Sequence, residues 1–290
     1  MTHGRTLPEE EIVSEALGAR RTFRVHLPPG YDRTPRRRFP VLYLHDGQNV
    51  FSDAGPDACF GWGAWNLDQT ADALAEAGRM REIILVAVHH SHSRYQEYCG
   101  PGRQVATART PASQFEKYAR FLTRELKPRI DRSFRTRPGP ASTGVMGSSL
   151  GGICSLALAW EYPKIFGLAA SVSGSFQIEG ARFLKTILRK RRAGAKPFRV
   201  YLDSGVIDHG GDEDGRELTA QVAAELRRIG WRDGHDLLHY VEERTLHESE
   251  LEKVGLPHHK WGEAQTSQHN EFYWRIRAWR ALTFLFPPGR

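Results

Sequence analysis

The stretch that decides the fold reads Thr143-Gly144-Val145-Met146-Gly147-Ser148-Ser149-Leu150-Gly151-Gly152. Its first four residues predict a strand, and the apolar pattern of residues 150–162, which stops before Pro163, predicts a helix. A serine between glycines at a strand–turn–helix junction is typical of a nucleophile elbow, because the strained turn tolerates only small neighbours. The alternative, the phosphate-binding turn of a nucleotide-binding fold, requires G-x-G-x-x-G after the first strand. We therefore predict Ser149, rather than Ser148 before the apex, as a nucleophile.

Outward from this turn, short apolar runs alternate with longer helical patterns. The predicted strands are residues 22–27, 41–45, 83–88, 143–146, 168–172, 199–203 and 237–242. The predicted helices are residues 67–77, 113–130, 150–162, 217–229 and 270–286, the first of them capped by Asn66. This alternation predicts an α/β fold, a mostly parallel sheet with helices on both faces. Ligands then bind at the carboxyl ends of the strands.

Length and charge limit the possible functions. The chain has 290 residues, which allows about two domains as a first estimate. No repeat or linker divides it, and we expect one domain over residues 1–290 with an insertion at 245–268. Lys and Arg number 41 against 34 Asp and Glu, a net charge of +7. The arginine runs at 36–38 and 189–192 lack interleaved aromatic residues, so we expect no nucleic-acid partner.

Cysteine usage and the N-terminal segment bear on the compartment. Cys59, Cys99 and Cys154 are few and widely spaced, which argues against a disulfide framework and favours a reducing compartment. Residues 9–11 are all Glu, where a signal peptide needs an apolar run. No run approaches the ~20 apolar residues of a membrane span. We expect a cytoplasmic protein with no membrane partner.

Several motifs taken together resemble the putative-esterase family of α/β-hydrolases. They are Leu27-Pro28-Pro29-Gly30-Tyr31, Pro40-Val41-Leu42-Tyr43-Leu44-His45-Asp46-Gly47-Gln48-Asn49, the Gly147–Gly152 turn, and His269-Asn270-Glu271 with Trp274 and Arg277. The family includes enterochelin, feruloyl and acetyl-xylan esterases, S-formylglutathione hydrolases and mycolyltransferases. The resemblance spans about residues 21–286 and implies the α/β-hydrolase fold and a cofactor-free reaction on a small-molecule ester. It leaves the ester unidentified.

The resemblance also implies an oxyanion hole, two backbone N–H groups that stabilise the developing negative charge. One donor is Leu150, directly after the nucleophile. The other, by resemblance, is Gln48, where Gly47 allows close backbone approach. On the residues alone, Asp46-Gly47 is equally typical of a plain turn.

The acid and the base follow the nucleophile in the order serine, acid, histidine. Asp208 lies three residues after Gly205, where the family carries Asp or Glu, and we predict it as the acid. Other carboxylates in the same stretch remain alternatives: Asp203, Asp212, Glu213 and Asp214. His269 heads the motif before the last helix, and we predict it as the base, with His247 as the alternative.

Other polar and aromatic residues have two interpretations each. His89, His90 and His92, and the pair His258-His259, are adjacent rather than spaced as zinc ligands are, so we expect no metal. Arg94, Glu97 and Tyr98 match a family stretch near the site and form either a structural ion pair or a substrate contact. Three tryptophans either wall an aromatic acyl pocket or anchor their loops: Trp62, Trp65 and Trp261.

The sequence thus predicts a serine esterase that works through an acyl-enzyme. Two alternatives stay open. The same residues can pass the acyl group to an alcohol, as the mycolyltransferase branch does. The fold can also persist as a catalytically silent binding protein. Oligomeric state is not predicted.

Overall fold

The computed structural model describes residues 4–102, 113–192, 194, 198–208, 210–253 and 268–289. Its strands are β1 (Arg5–Thr6), β2 (Glu10–Ser14), β3 (Ala19–Leu27), β4 (Val41–Leu44), β5 (Ile84–Val88), β6 (Thr143–Ser148), β7 (Leu168–Val172), β8 (Arg199–Ser204) and β9 (Leu237–Val241). The described strands form one nine-stranded sheet in the order β1-β3-β5-β4-β6-β7-β8-β9, with β2 also paired to β3.

The sheet is mostly parallel. From β5 through β4, β6, β7 and β8 to β9, every neighbouring pair is parallel, whereas β1, β2 and β5 pair with β3 in the antiparallel sense. Strands β4 to β8 are buried on both faces apart from one half-buried position at Arg199. That burial explains their continuous apolar sequences, since helices cover both sides of a parallel sheet.

The helical segments are α1 (Ala58–Gly61), α2 (Leu67–Glu76), α3 (Arg94–Tyr98), α4 (Phe115–Arg120), α5 (Lys127–Ser133), α6 (Leu150–Glu161), α7 (Ile178–Arg182), α8 (Arg216–Ile229), α9 (Glu248–Lys253) and α10 (Glu271–Leu285). A π-helical turn, Phe121–Leu126, joins α4 to α5, and a second, Phe183–Leu188, follows α7. Apolar residues of α4, α6 and α8 fill the core on one face of the sheet. Those of α2 and α10 fill it on the other.

This architecture confirms the predicted α/β fold with helices on both faces. Each predicted strand and helix is present, with its ends displaced by a few residues. The antiparallel edge strands β1 and β2 were not predicted, because β2 is short and half-exposed and begins with two glutamates. The predicted cap of α2 differs in detail. Asn66 occupies the cap position in a left-handed conformation, with φ 52°, and its side chain makes no capping hydrogen bond.

The structure also bears on the expected insertion, on the cysteines and on membrane-spanning helices. The expected insertion at 245–268 contains α9, and its residues 254–267, including His258, His259 and Trp261, lie outside the described part of the chain. Cys59, Cys99 and Cys154 are all free thiols. Among the described residues, the helices are too short or too polar to cross a bilayer.

Candidate active site

Ser149 lies at the sharp turn between β6 and α6. Its backbone has φ 53° and ψ −121°, a strained conformation for a residue with a side chain. The turn closes tightly, since a Cβ atom at Gly147 would approach the carbonyl carbon of Gly151 to 2.8 Å. The turn also hydrogen-bonds to its neighbours: Ser149 N–H donates to Val172 O, and Ser175 N–H donates to Ser149 O, both at 3.0 Å. The predicted elbow is therefore present, with Ser149 partly exposed at its apex.

His269 is held beside the elbow by the start of α10 and by the loop after β8. Asn270 caps α10 through its side-chain oxygen, which accepts from Tyr273 N–H. The buried Gln268 side chain accepts from Val206 N–H at 2.7 Å, and Gln268 N–H donates to Ile207 O at 2.9 Å. The His269 ring packs edge-on against Trp274, with ring centroids 5.1 Å apart. These contacts fix the imidazole against the loop that carries the candidate acids.

The carboxylate partner of His269 is Asp214. The His269 Nδ1 atom lies 2.5 Å from Asp214 Oδ1, and the Asp214 side chain is almost fully buried. Its other oxygen accepts from Ser173 Oγ–H and from Gly205 N–H. Burial opposes ionisation of Asp214, but the hydrogen bonds to His269 and Ser173 and the nearby charge of Arg277 outweigh it and lower the pKa of the carboxyl group. Asp214 is thus held as an anion.

The predicted acid, Asp208, has different hydrogen-bond partners. Its carboxylate turns back on its own loop and accepts from Gly210 N–H at 2.7 Å and Asp212 N–H at 3.2 Å. Ile207 pairs with Glu213 across the same loop. The chain therefore reverses direction after Asp208, and the carboxylate that reaches His269 lies six residues further on. Asp214 was among the alternatives in that stretch. The other predicted alternative for the base, His247, lies before α9 and its backbone N–H donates to Glu250.

The loop after β4 brings the candidate oxyanion donor Gln48 to the same edge of the sheet. Asp46 adopts a left-handed conformation, and Gly47 starts a short 3₁₀ turn, Gly47–Asn49. A Cβ atom at Gly47 would approach Val88 N of β5 to 2.5 Å, so only glycine fits there. The Gln48 side chain accepts from His90 N–H at 3.3 Å, which ties the two loops together.

The residues that match the family stretch in α3 hold ion pairs. Arg94 donates two hydrogen bonds to the Asp46 carboxylate, of 2.6 and 2.7 Å. Glu97 forms a buried pair with Arg21, the closer contact being 2.7 Å. Of the two interpretations of this stretch, the structural ion pair is observed. It fixes the loop that carries Gln48.

His45 lies buried beneath this loop as an uncharged residue. One ring nitrogen, Nδ1, is 2.9 Å from the Tyr118 hydroxyl. Burial lowers the pKa of His45 to about 4, more than the neighbouring Asp46 raises it. At neutral pH no positive charge therefore lies on this residue.

Two cavities meet at Ser149 and His269, which line both. One, of about 410 Å³, is lined on its far side by Asp208, Asp212 and Glu213, and we call it the acid-lined cavity. The other, of about 390 Å³, is walled by aromatic side chains, and we call it the aromatic cavity. Its aromatic residues are Phe60, Trp62, Trp65 and Trp274. Two of the tryptophans interpreted above, Trp62 and Trp65, thus line the site, although both are largely buried.

Some residues of the site had no signal in the sequence. Ser175 Oγ lies 3.0 Å from Ser149 Oγ, and Ser173 contacts Asp214, yet serines after a strand are too common to be singled out. No group of three or more metal-ligand side chains converges among the residues described.

The fold and the elbow, with a histidine–aspartate pair beside it, define the class of α/β-hydrolases. The family model described as "Esterase: Putative esterase" matches residues 14–277, and the chain belongs to that family.

Similar proteins include the uncharacterised YbbA of Bacillus subtilis, 26% identical over 86% of this chain and 90% of its own length. The iron(III) enterobactin esterase of Escherichia coli is 23% identical over 80% of this chain and 54% of its own length. Among solved structures, a ferulic acid esterase superposes with a TM-score of 0.66 at 15% identity, covering 98% of both chains. The family indicates ester hydrolysis.

Proposed function

We propose that this chain is a serine esterase in which Ser149 attacks the ester carbonyl, His269 is the general base and Asp214 orients it. The observation that carries the proposal is that the strained turn of Ser149 and His269, which is hydrogen-bonded to the buried Asp214, line the same two cavities. This constellation forms the nucleophile, base and orienting acid of acyl-transfer enzymes.

The protonation of His269 follows from its partner. Because Asp214 is ionised and can only accept, Nδ1 of His269 carries the proton that lies between them. In the neutral ring Nε2 is then the nitrogen that carries the lone pair. It takes the proton from Ser149 Oγ during attack and returns it to the leaving alcohol. Water then repeats the sequence on the acyl-enzyme and releases the acid.

The negative charge on the carbonyl oxygen is stabilised in this proposal by two backbone N–H groups, of Leu150 and Gln48. Leu150 is the first residue of α6, so the helix N-terminus adds a favourable dipole. Each such donor is worth about 3 kcal/mol in the transition state. The ion pair of Asp46 with Arg94 supports this role by holding the loop of Gln48 rigid.

We also propose that the aromatic cavity binds an aromatic acyl or alcohol group. Its walls are indole and phenyl rings, which stack on flat apolar groups. An endo-1,4-beta-xylanase/feruloyl esterase of Xylanibacter ruminicola is 27% identical over 60% of this chain and 22% of its own length. The single-domain organisation and the cytoplasmic location remain predictions.

The test compares wild type with Ser149→Ala and Ser148→Ala. We expect wild type to hydrolyse short aryl esters and to be labelled by a fluorophosphonate probe. Ser149→Ala should lose labelling and nearly all turnover, whereas Ser148→Ala should keep both. Products formed with and without an added alcohol measure whether water or an alcohol takes the acyl group. Full activity of Ser149→Ala would refute the assignment, and a folded wild type that fails to label would favour a silent binding protein.

A further inference from the structure

A group of charged side chains is buried directly beneath the His269–Asp214 pair. Arg277, on α10, is fully buried, as is Asp203 at the end of β8. Ser173, in the turn after β7, lies between Arg277 and Asp214. Nothing in the proposed chemistry uses Arg277, Asp203 or Ser173. A buried ion pair is costly to desolvate, so its presence under the base calls for a physical reason.

The hydrogen bonds in this group run in one direction only. Arg277 Nη2 lies 2.7 Å from Ser173 Oγ, and a guanidinium can only donate, so the serine oxygen accepts. The single hydroxyl proton of Ser173 is then free to donate to Asp214 Oδ2, 2.5 Å away. Gly205 N–H donates to the same oxygen. Oδ2 is thereby occupied by two donors, and Oδ1 is the oxygen turned towards His269.

Asp203 holds the other side of Arg277. Its two oxygens lie 3.3 Å from Nε and 3.4 Å from Nη2 of the guanidinium. The Asp203 carboxylate is itself fixed by the Tyr201 hydroxyl at 2.9 Å and by Ser173 N–H at 2.9 Å. Strand β8 thus sets the position of the guanidinium, and the shortest contact of Arg277 is the one to Ser173.

We propose that Ser173 and Arg277 are positioning residues for the base: their one-way chain of hydrogen bonds holds Asp214 with Oδ1 facing His269. This inference rests on the proposed esterase mechanism. It assigns the orientation of the acid to a cation in the last helix, which acts through one hydroxyl group.

The hydrogen bonds from Arg277 through Ser173 to Asp214 should also affect the pH dependence of the reaction. The ionisable groups that surround His269 lie on two sides. Asp214, Arg277 and Asp203 are buried behind it, and the two cavities that it lines carry Asp46, Arg94, Glu271, Asp208, Asp212 and Glu213. The donors on Oδ2 draw negative charge away from Oδ1. Removing the Ser173 hydroxyl concentrates that charge on Oδ1, favours the imidazolium form, and so moves the acidic limb of the kcat/KM profile to higher pH. Removing the Asp203 charge leaves Arg277 uncompensated, which opposes the imidazolium form and moves the limb to lower pH.

The experiment measures kcat, KM and the kcat/KM pH profile of Ser173→Ala on an aryl ester. The matched control is Ser171→Ala, in the same strand region, where the buried hydroxyl has no hydrogen-bond partner among the described residues. For Ser173→Ala we expect kcat to fall on the order of tenfold with little change in KM, since a misaligned base slows the chemical step. We expect its acidic limb to rise by about half a pH unit. The control should keep the wild-type profile.

An unshifted acidic limb in Ser173→Ala overturns the proposal, whether or not kcat falls, because a merely structural role would lower stability without moving the profile. Asp203→Asn supplies the second variant, with the shift expected in the opposite direction, and a shift in the same direction also overturns it. Fluorophosphonate labelling of wild type distinguishes failure of the esterase proposal from failure of this inference. If wild type is not labelled, the esterase proposal itself fails. If wild type is labelled and the limb stays in place, only this inference fails.

Discussion

The aromatic cavity and the acid-lined cavity share Ser149 and His269 but are built from different chemistry. The loops of the aromatic cavity rest on the uncharged His45. Among the ionisable groups that line it, Asp46 and Arg94 neutralise each other, and burial raises the pKa of Glu271. The acid-lined cavity carries Asp208, Asp212 and Glu213 in addition to Asp214. Because Ser149 and His269 line both cavities, we expect a bound ester to extend into both and its two halves to differ in polarity. The comparison indicates that charge is concentrated on the side where the base is held.

The largest expected effect separates Asp214 from the carboxylates that only line its cavity. Asp214→Asn presents an amide to His269, which disfavours the required tautomer and leaves the imidazolium without its counter-charge. We expect kcat to fall about 10³- to 10⁴-fold. Asp208→Asn, the matched control from the same cavity, should stay within about threefold of wild type. Steady-state kinetics of both variants on one ester measures the difference, and an equal loss in Asp208→Asn would contradict the assignment.

The next effect concerns the pH dependence of the free energy of unfolding, which the buried His45 below the aromatic cavity controls in part. The pKa of His45 is lowered from 6.5 to about 4, so the unfolded chain takes up a proton that the folded protein excludes. Stability is therefore lost as pH falls from about 6.5 towards 4, by up to about 3 kcal/mol. His45→Gln removes this loss. Urea unfolding at pH 7 and pH 4.5 should show a smaller decrease in the free energy of unfolding for the variant, and an equal decrease would contradict the buried neutral histidine.

A smaller effect tests the aromatic wall. Phe60 is 94% exposed at the cavity, so Phe60→Ala removes a contact surface with little cost to folding. We expect KM for an aryl-acyl ester to rise roughly fivefold and KM for the acetyl ester of the same alcohol to change little. Val13→Ala is the control, because Val13 is also exposed, at 71%, but lies in β2. Equal KM changes for both esters would argue against an aromatic subsite.

The smallest effect tests the charge of the acid-lined cavity. Asp212→Asn removes one exposed carboxylate there, and Glu15→Gln removes one in the turn between β2 and β3. At low salt, Asp212→Asn should raise kcat/KM for an ester with an anionic alcohol group about twofold, and high salt should abolish the gain. The control should show neither change. A gain that persists in high salt would exclude electrostatic repulsion as its cause.

The parts of the fold and site that are encoded locally could be predicted from the sequence. The strands carry continuous apolar runs, and the elbow needs its glycines within five residues of Ser149, so both leave a signal in a short window. The motif before α10 marked His269 in the same way. The choice between Asp208 and Asp214 depends instead on how one loop folds back. Six residues of separation gave no means of telling which carboxylate would reach the histidine.

The contributions of Ser173, Ser175 and Gln268 were hidden for a related reason. Each acts through a contact with a residue distant in sequence, such as Ser173 with Asp214 or Gln268 with Val206. Polar residues of these types are common in loops, and only the folded chain shows which of them are buried and paired. Arg277 was part of the quoted motif, but its burial against Asp203 was not readable from spacing.

Arg277 also bears on the order in which the protein assembles. It belongs to α10, which follows every strand of the described sheet, while its partners Asp203 and Ser173 come from β8 and the turn after β7. Before α10 docks, Asp203 and Asp214 lack this cation, and burying their carboxylates without it costs free energy, so the hydrated state is favoured. We therefore expect the docking of α10 to close this face of the core and complete the candidate site together. A chain in which α10 has not docked would expose both carboxylates and one face of the sheet, and we expect it to be inactive.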